Sequence, residues 1–163
     1  MMNVSEILAR MIGWPGNTRH DVEHLLKVWG YARTIGQLES LDDQSQRVLE
    51  IAAIVHDIAC PMLRETTGSC PGKRQEEAGP ALAAAFLEGT GMPQADIDRI
   101  CFLVGHHHTF TDIDGPDWQI LLEADYLVNA GESGYSTENI RRFADTLCKT
   151  PSGRALFRSI YHV

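Results

Sequence analysis

Ile51-Ala52-Ala53-Ile54-Val55-His56-Asp57-Ile58-Ala59 sets an imidazole and a carboxylate side by side inside an otherwise unbroken apolar run. A run this apolar suits a helix at the centre of a core, not one on its surface. A carboxylate buried without a partner is strongly disfavoured, so Asp57 requires a cation, a hydrogen-bond network or a metal ion. The adjacent His56 makes a metal the sharpest of the three.

On either side of that run helical periodicity dominates and the β-branched alternation of strands is nearly absent, which predicts an all-α fold. A short helix from about Val4 to Ile12 ends at Gly13-Trp14-Pro15-Gly16. Asn17 or Thr18 caps a longer one, about Arg19 to Leu38, whose stripe of Val22, Leu25, Val28, Trp29, Ala32 and Ile35 runs beside His24. Leu41-Asp42-Asp43 caps the helix that carries the opening run, Gln44 to about Ile58. From Cys60 to Lys73, with Pro61, Gly68, Pro71 and Gly72, the chain reads as irregular, a lid or part of a pocket wall. Helices resume from Arg74 to about Leu87 and from Pro93 towards His106-His107-His108, and Thr109 to Pro116 reads as a loop. Pro116 starts a strongly apolar helix interrupted by Glu123 and Asp125; one helix to about Lys149 and another from Ser152 through Ile160 complete the chain.

A chain of 163 residues is of single-domain size and buries roughly 68–70% of its unfolded surface. With no repeat, low-complexity tract or linker, it reads as one helical bundle over residues 1–163, its site between the central helices. The formal charge of −8, from 14 basic and 22 acidic residues, argues against a nucleic-acid polymer or an anionic membrane as partner. It leaves room for a small anionic substrate held by a metal. Cys60, Cys70, Cys101 and Cys148 lack CxxC spacing, which fits free thiols in a reducing cytoplasm better than a zinc ribbon. The amino terminus has neither a basic n-region nor a long apolar segment, and no stretch reaches 18 apolar residues, so a soluble cytoplasmic protein is expected, with homo-oligomerisation left open.

The ligand-capable residues set in apolar helices are His24, His56, Asp57, the histidines 106–108 and Asp125, read as lying on four separate helices. Buried caps or salt bridges are the plainer account of Asp57 and Asp125, weakened by the lack of basic residues in their own turns. The ordered series, His then His-Asp then His-His then Asp, resembles the HD superfamily of metal-dependent phosphohydrolases over about residues 18–130, with 131–163 as C-terminal helices. His24 matches in Asp-Val-Glu-His-Leu-Leu-Lys-Val, His56 and Asp57 in Ala-Ala-Ile-Val-His-Asp-Ile, and Asp125 in Leu-Leu-Glu-Ala-Asp-Tyr-Leu-Val-Asn. The resemblance implies one divalent metal held by these two imidazoles and two carboxylates, with Asp57 acting alongside a metal-activated water in attack on phosphorus. Such ligands suit Mn, Fe, Co, Ni or Zn better than Mg, which prefers oxygen.

Leu103-Val104-Gly105-His106-His107-His108-Thr109 further resembles the His-His element of two-metal members. Register turns His107 and His108 to the cleft, as ligands of a second metal or contacts to substrate phosphate, with His107 also a candidate proton donor; His106 is expected to be exposed. Two-metal members usually add a histidine from the preceding helix, where this chain has Gln75, Glu76 and Glu77, so Glu76 is the candidate substitute. Lys73 and Arg74, with Arg64, are candidates to bind substrate phosphate. Asn129, one turn past Asp125, is placed to orient that carboxylate. The run His56-Asp57-Ile58-Ala59-Cys60 departs from the His-Asp-Ile-Gly-Lys of some signalling phosphodiesterases, and the glycine-tyrosine-proline signature of the cyclic dinucleotide branch is missing. The expectation is a phosphomonoesterase or phosphodiesterase acting on a nucleotide or related small phosphorylated compound. Its alternative is a non-catalytic module that senses a nucleotide or metal.

Overall fold

Side-chain caps start most helices where the sequence offers them. Asn3 and Glu6 exchange bonds in a capping box at the head of α1 (Val4–Ile12), and Thr18 and Asp21 do the same for α2 (Arg19–Leu38). Asp42 accepts from Gln44 and Ser45 N–H at the start of α3 (Asp43–Val55). Each such cap is worth about 1 kcal/mol. The computed structural model describes all of Met1–Val163 and contains six further helices: α4 (Cys60–Thr67), α5 (Gly72–Leu87), α6 (Gln94–Val104), α7 (Pro116–Glu132), α8 (Thr137–Thr146) and α9 (Pro151–Tyr161). The fold is all-α, as its periodicity predicts.

The helix carrying the opening run is the hub. Every residue from Val48 to Val55 is buried, and α3 packs against α1, α2, α6 and α7. Truncating Ile51 or Ile54 to Ala would cost about 2–5 kcal/mol. α7 is nearly as enclosed, lying against α2, α3 and α9, while α5 pairs with α6. The C-terminal helices share the same core: Phe143 of α8 stacks on Tyr126 with ring centroids 3.6 Å apart, and Phe157 of α9 lies 5.3 Å from Phe143. No helix is long and apolar enough to cross a membrane, and the four cysteines are free thiols.

Several boundaries differ from the sequence reading, among them the end of α6 at Val104, short of the histidine triplet, and three have a plain local reason. α3 ends at Val55, and His56–Ala59 form a turn closed by i to i−3 bonds, Ile58 N to Val55 O at 3.0 Å and Cys60 N to Asp57 O at 2.9 Å. The segment from Cys60 onward is not irregular but helical, because Pro61 sits in the first turn, where its missing N–H costs nothing; Gly68 ends α4 in the left-handed region at φ 79°. Only residues 68–71 link α4 to α5, too short a stretch for a lid. At the other end of the chain, α8 stops at Thr146 instead of Lys149, since buried Glu123 captures the Lys149 and Thr150 backbone N–H groups at 2.7 and 3.0 Å.

Candidate functional site

His56-Asp57 and His107-His108 each lie just beyond the C-terminus of a buried helix, not within it. The last carbonyls of a helix have no partner in the helix itself. Here they anchor imidazoles: His56 Nδ1 donates to Ala53 O at 2.8 Å and His107 Nδ1 to Val104 O at 2.6 Å, three residues back in both cases. His24 comes from α2, and its Nδ1 donates to Glu132 Oε2 at 2.8 Å. With Nδ1 committed as the donor, a neutral ring presents a bare lone pair at Nε2.

Those lone pairs converge. His24 Nε2 and His56 Nε2 are 3.2 Å apart, Asp57 Oδ2 is 3.5 Å from each, and Asp125 Oδ1 is 3.2 Å from His24 Nε2 and 3.5 Å from His56 Nε2. Acceptors facing acceptors repel unless a cation lies among them. Two neighbouring ligands of a divalent ion at about 2.1 Å stand roughly 3.0–3.4 Å apart, so the spacing fits a metal. His24, His56 and Asp57 form the tight trio, and Asp125 joins it through the two imidazoles. Asn129 Nδ2 donates to Asp125 Oδ1 at 2.8 Å and holds that carboxylate in place.

The same closeness couples the protonation of these groups. Burial alone would lower the His24 pKa, but the hydrogen bond to Asp125 and the charge of Asp57 outweigh it and raise it to about 9. His56 is pulled the same way against its burial by Asp57 and Asp125. Burial pushes the Asp57 and Asp125 carboxyls up, but His56 and His107 hold Asp57, and His24 and His56 hold Asp125, well below the carboxylate range.

Asp57 alone of the four is open, with 31% of its side chain exposed against 7% for His24, 0% for His56 and 8% for Asp125. Its second oxygen, Oδ1, faces the other way, 3.5 Å from His107 Nε2. Asp57, His107 and His108 form a second group able to hold a cation, so one carboxylate adjoins both clusters. The ring of His108 lies against Gly72, where any side chain would collide with it. Burial and the neighbouring His107 push the His108 pKa down.

Glu76 is not part of this group. Its Oε1 accepts from His108 N at 2.9 Å and Thr109 Oγ1 at 2.8 Å, tying α5 to the loop after α6. Gln75 points inward instead: its Oε1 is 3.0 Å from both His107 Nε2 and His108 Nε2, while its Nε2 donates to Cys70 O at 2.6 Å.

A cavity of about 220 Å³ opens above Asp57 and His24. α2 lines it with His20 and Asp21, α4 with Cys60 and Arg64, the following segment with Cys70 and Gln75, and the end of α7 with Asn129, Glu132 and Ser133. Lys73 and Arg74 are both exposed and do not line it. The cation on its wall is Arg64, which grips Asp21 with both Nη atoms at 2.5 and 3.0 Å. His106 is half-buried rather than exposed, stacked on Phe102 at 4.1 Å and edge-on to Trp118 at 5.2 Å. Glu132, Gln75 and Asp21 escape the sequence reading. A signal for Glu132 exists in the spacing of Asp125, Asn129 and Glu132, which puts all three on one face of α7.

The model of the HD domain family matches residues 21–141. Among solved structures, the chain is similar to the crystal structure at 1.45 Å resolution of a predicted HD superfamily hydrolase from an uncultured Thermotogales bacterium. The TM-score is 0.69 at 22% identity, over 98% of this chain and 83% of that one, a likeness of fold. No curated protein matches the sequence.

Proposed function

The chain belongs to the HD domain family, and from that premise we propose that it is a phosphohydrolase in which His24, His56, Asp57 and Asp125 hold one divalent cation. The observation that carries the reading is the 3.2 Å approach of two imidazole Nε2 atoms whose Nδ1 atoms are both spent as donors, with two carboxylates completing the cluster. Mixed imidazole and carboxylate ligands suit Mn, Fe, Co, Ni or Zn better than Mg. Such an ion polarises a phosphoryl oxygen and lowers the pKa of a bound water, supplying Lewis acid and nucleophile together.

The protein's own groups divide the remaining work. Asp57 is the ligand in reach of solvent, so its carboxylate borders the reacting atoms. Of the three phosphate-binding candidates, Lys73, Arg74 and Arg64, only Arg64 is on the cavity wall, fixed there by Asp21, and it takes that role. His107 and His108, with Gln75 Oε1 between them, face Asp57 from the other side, either to hold a second cation or to contact substrate, with His107 as the proton donor to the leaving oxygen. The single core to which eight of the nine helices contribute supports one domain over 1–163, and four unpaired thiols suit a reducing compartment.

Metal analysis of the purified protein, followed by phosphatase and phosphodiesterase assays with added Mn, Co or Ni, tests this reading. Asp57→Ala is expected to lose bound metal and activity together. Activity that survives loss of the metal would sink the proposal, and binding of phosphorylated compounds without turnover would favour a sensing module.

A further inference from the structure

Resting on the phosphohydrolase reading, we propose that the substrate is the phosphomonoester of a small polyhydroxylated alcohol, on the scale of glycerol phosphate, and not a nucleotide or a diester. The cavity over Asp57 holds about 220 Å³. Pockets for larger organic ligands run to about 300–1,000 Å³ and present mostly apolar and aromatic walls. Here, apart from the thiols of Cys60 and Cys70, every lining side chain is polar. A nucleobase gains about 1–3 kcal/mol by stacking on an aromatic face. The rings on this wall are imidazoles: His24 is 7% exposed and committed at both nitrogens, and His20 stands at the mouth, 69% exposed.

Charge points the same way. Beyond the cation cluster, Arg64 is the wall's one fixed positive charge; it pairs with Asp21 of α2, and Glu132 of α7 adds a second carboxylate to the wall. One phosphate is matched by this arrangement, whereas a second would meet the two carboxylates with no further cation. Asp21 Oδ1 and Glu132 Oε1, each holding one bond, to Arg64 and to Lys27, keep a second acceptor site, and with the Ser133 hydroxyl and Asn129 Oδ1 they suit substrate hydroxyls; one of the two amide N–H groups of Asn129 is spent on Asp125.

An apolar groove containing Tyr31 and Tyr161 lies beyond Glu132 and would suit a base. The Lys27–Glu132 ion pair, at 3.0 Å, stands between it and the cavity, and His24 anchors Glu132 from within. A nucleotide spanning both would have to break that pair.

The test compares glycerol 3-phosphate, adenosine 5′-monophosphate and bis(4-nitrophenyl) phosphate as substrates of the full chain reconstituted with Mn. Alongside it, side-chain NMR shifts of Arg64 and Asn129 are followed in the protein loaded with diamagnetic Zn as each monoester is added. We expect kcat/KM for glycerol 3-phosphate to exceed that for the nucleotide by at least about tenfold, with no diester turnover. Only the glycerol ester should move the Asn129 amide at low concentration. Lys27→Ala, which opens the way to the tyrosine groove, should narrow the preference. Equal or better use of the nucleotide or the diester overturns this inference and leaves the phosphohydrolase reading standing; turnover of no phosphoester with any added metal overturns both.

Discussion

Glu132 Oε2 accepts from His24 Nδ1 at 2.8 Å across the seam between α7 and α2, and its other oxygen accepts from Lys27 Nζ at 3.0 Å. The carboxylate thus fixes which nitrogen of His24 carries the proton and turns the Nε2 lone pair towards His56 and Asp125. Loss of such a partner typically costs 10–100-fold in metal affinity. Glu132→Ala should weaken Mn or Zn binding by about that factor, measured by competition with a chelator. Glu132→Gln, which keeps one accepting oxygen, should lose less. An unchanged affinity in Glu132→Ala would show that the contact does not orient His24.

Removing the metal should make stability fall on the alkaline side. In the metal-free protein burial lowers the His24 pKa, but the bond to Asp125 and the charge of Asp57 raise it to about 9. The folded value lies above the unfolded one, near 6.5, so this contribution is complete below about pH 6.5 and is lost as the pH rises through about 9. Asp57 and Asp125 are depressed, so their contribution is present above their unfolded values, near 3.9, and is lost as the pH falls through their folded ones. Chelated protein should therefore resist urea best between about pH 4 and 6.5. Metal binding requires unprotonated Nε2, so apparent affinity should climb towards pH 9 and the loaded protein should lose the alkaline decline. Urea midpoints from pH 5 to 10, with and without chelator, check both; a flat chelated profile above pH 6.5 would contradict the geometry.

His56, Asp57 and Asp125 stand out in the sequence because each breaks an apolar helical pattern that has no local use for a charge, whereas His24, among Asp21, Glu23 and Lys27, stands out only through the resemblance of the ordered series. Glu132 was not, since a glutamate at a helix end beside Gly131 and Gly134 looks like ordinary solvated chemistry. Its role depends on a partner 108 residues away. The choice between Gln75 and Glu76 turns on about 100° of helix rotation, and charge favoured the residue that the fold points at a backbone N–H. Pro61 looks like a breaker in the sequence, but in the first turn of α4 it is a helix starter. Cytoplasmic cues, substrate scale and oligomeric state leave no periodic trace at all.

Gln75 offers a test of the second cation group. Its amide oxygen is 3.0 Å from two imidazole nitrogens, where an anionic or imidazole ligand would bind a cation more tightly than a neutral amide does. Gln75→His should therefore raise the metal content at fixed free Mn from about one ion per chain towards about two. Elemental analysis after gel filtration reads the change. A stoichiometry that stays at one would mean that His107 and His108 serve substrate instead.

The two acids that interrupt α7 should separate under mutation, because they serve different ends. Asp125 lies against His24 and His56, whereas Glu123, fully buried two residues earlier, accepts from Gln119 Nε2, Lys149 N, Thr150 N and Thr150 Oγ1. It thereby fastens the α8–α9 connection to the core. Each buried donor left unpaired costs about 1–3 kcal/mol, so Glu123→Ala should destabilise the fold by on the order of 3 kcal/mol or more. Gly153 approaches so closely that an added Cβ would run into Glu123 Oε2 and Thr150 Oγ1, and Gly153→Ala should destabilise through the same network. Both variants should keep the metal affinity of the parent while they stay folded. Asp125→Asn should do the reverse, weakening metal binding at least about tenfold with a smaller change in the urea midpoint of the chelated protein. Parallel losses of affinity and stability in all three would mean that the buried acids form one structural unit and not two.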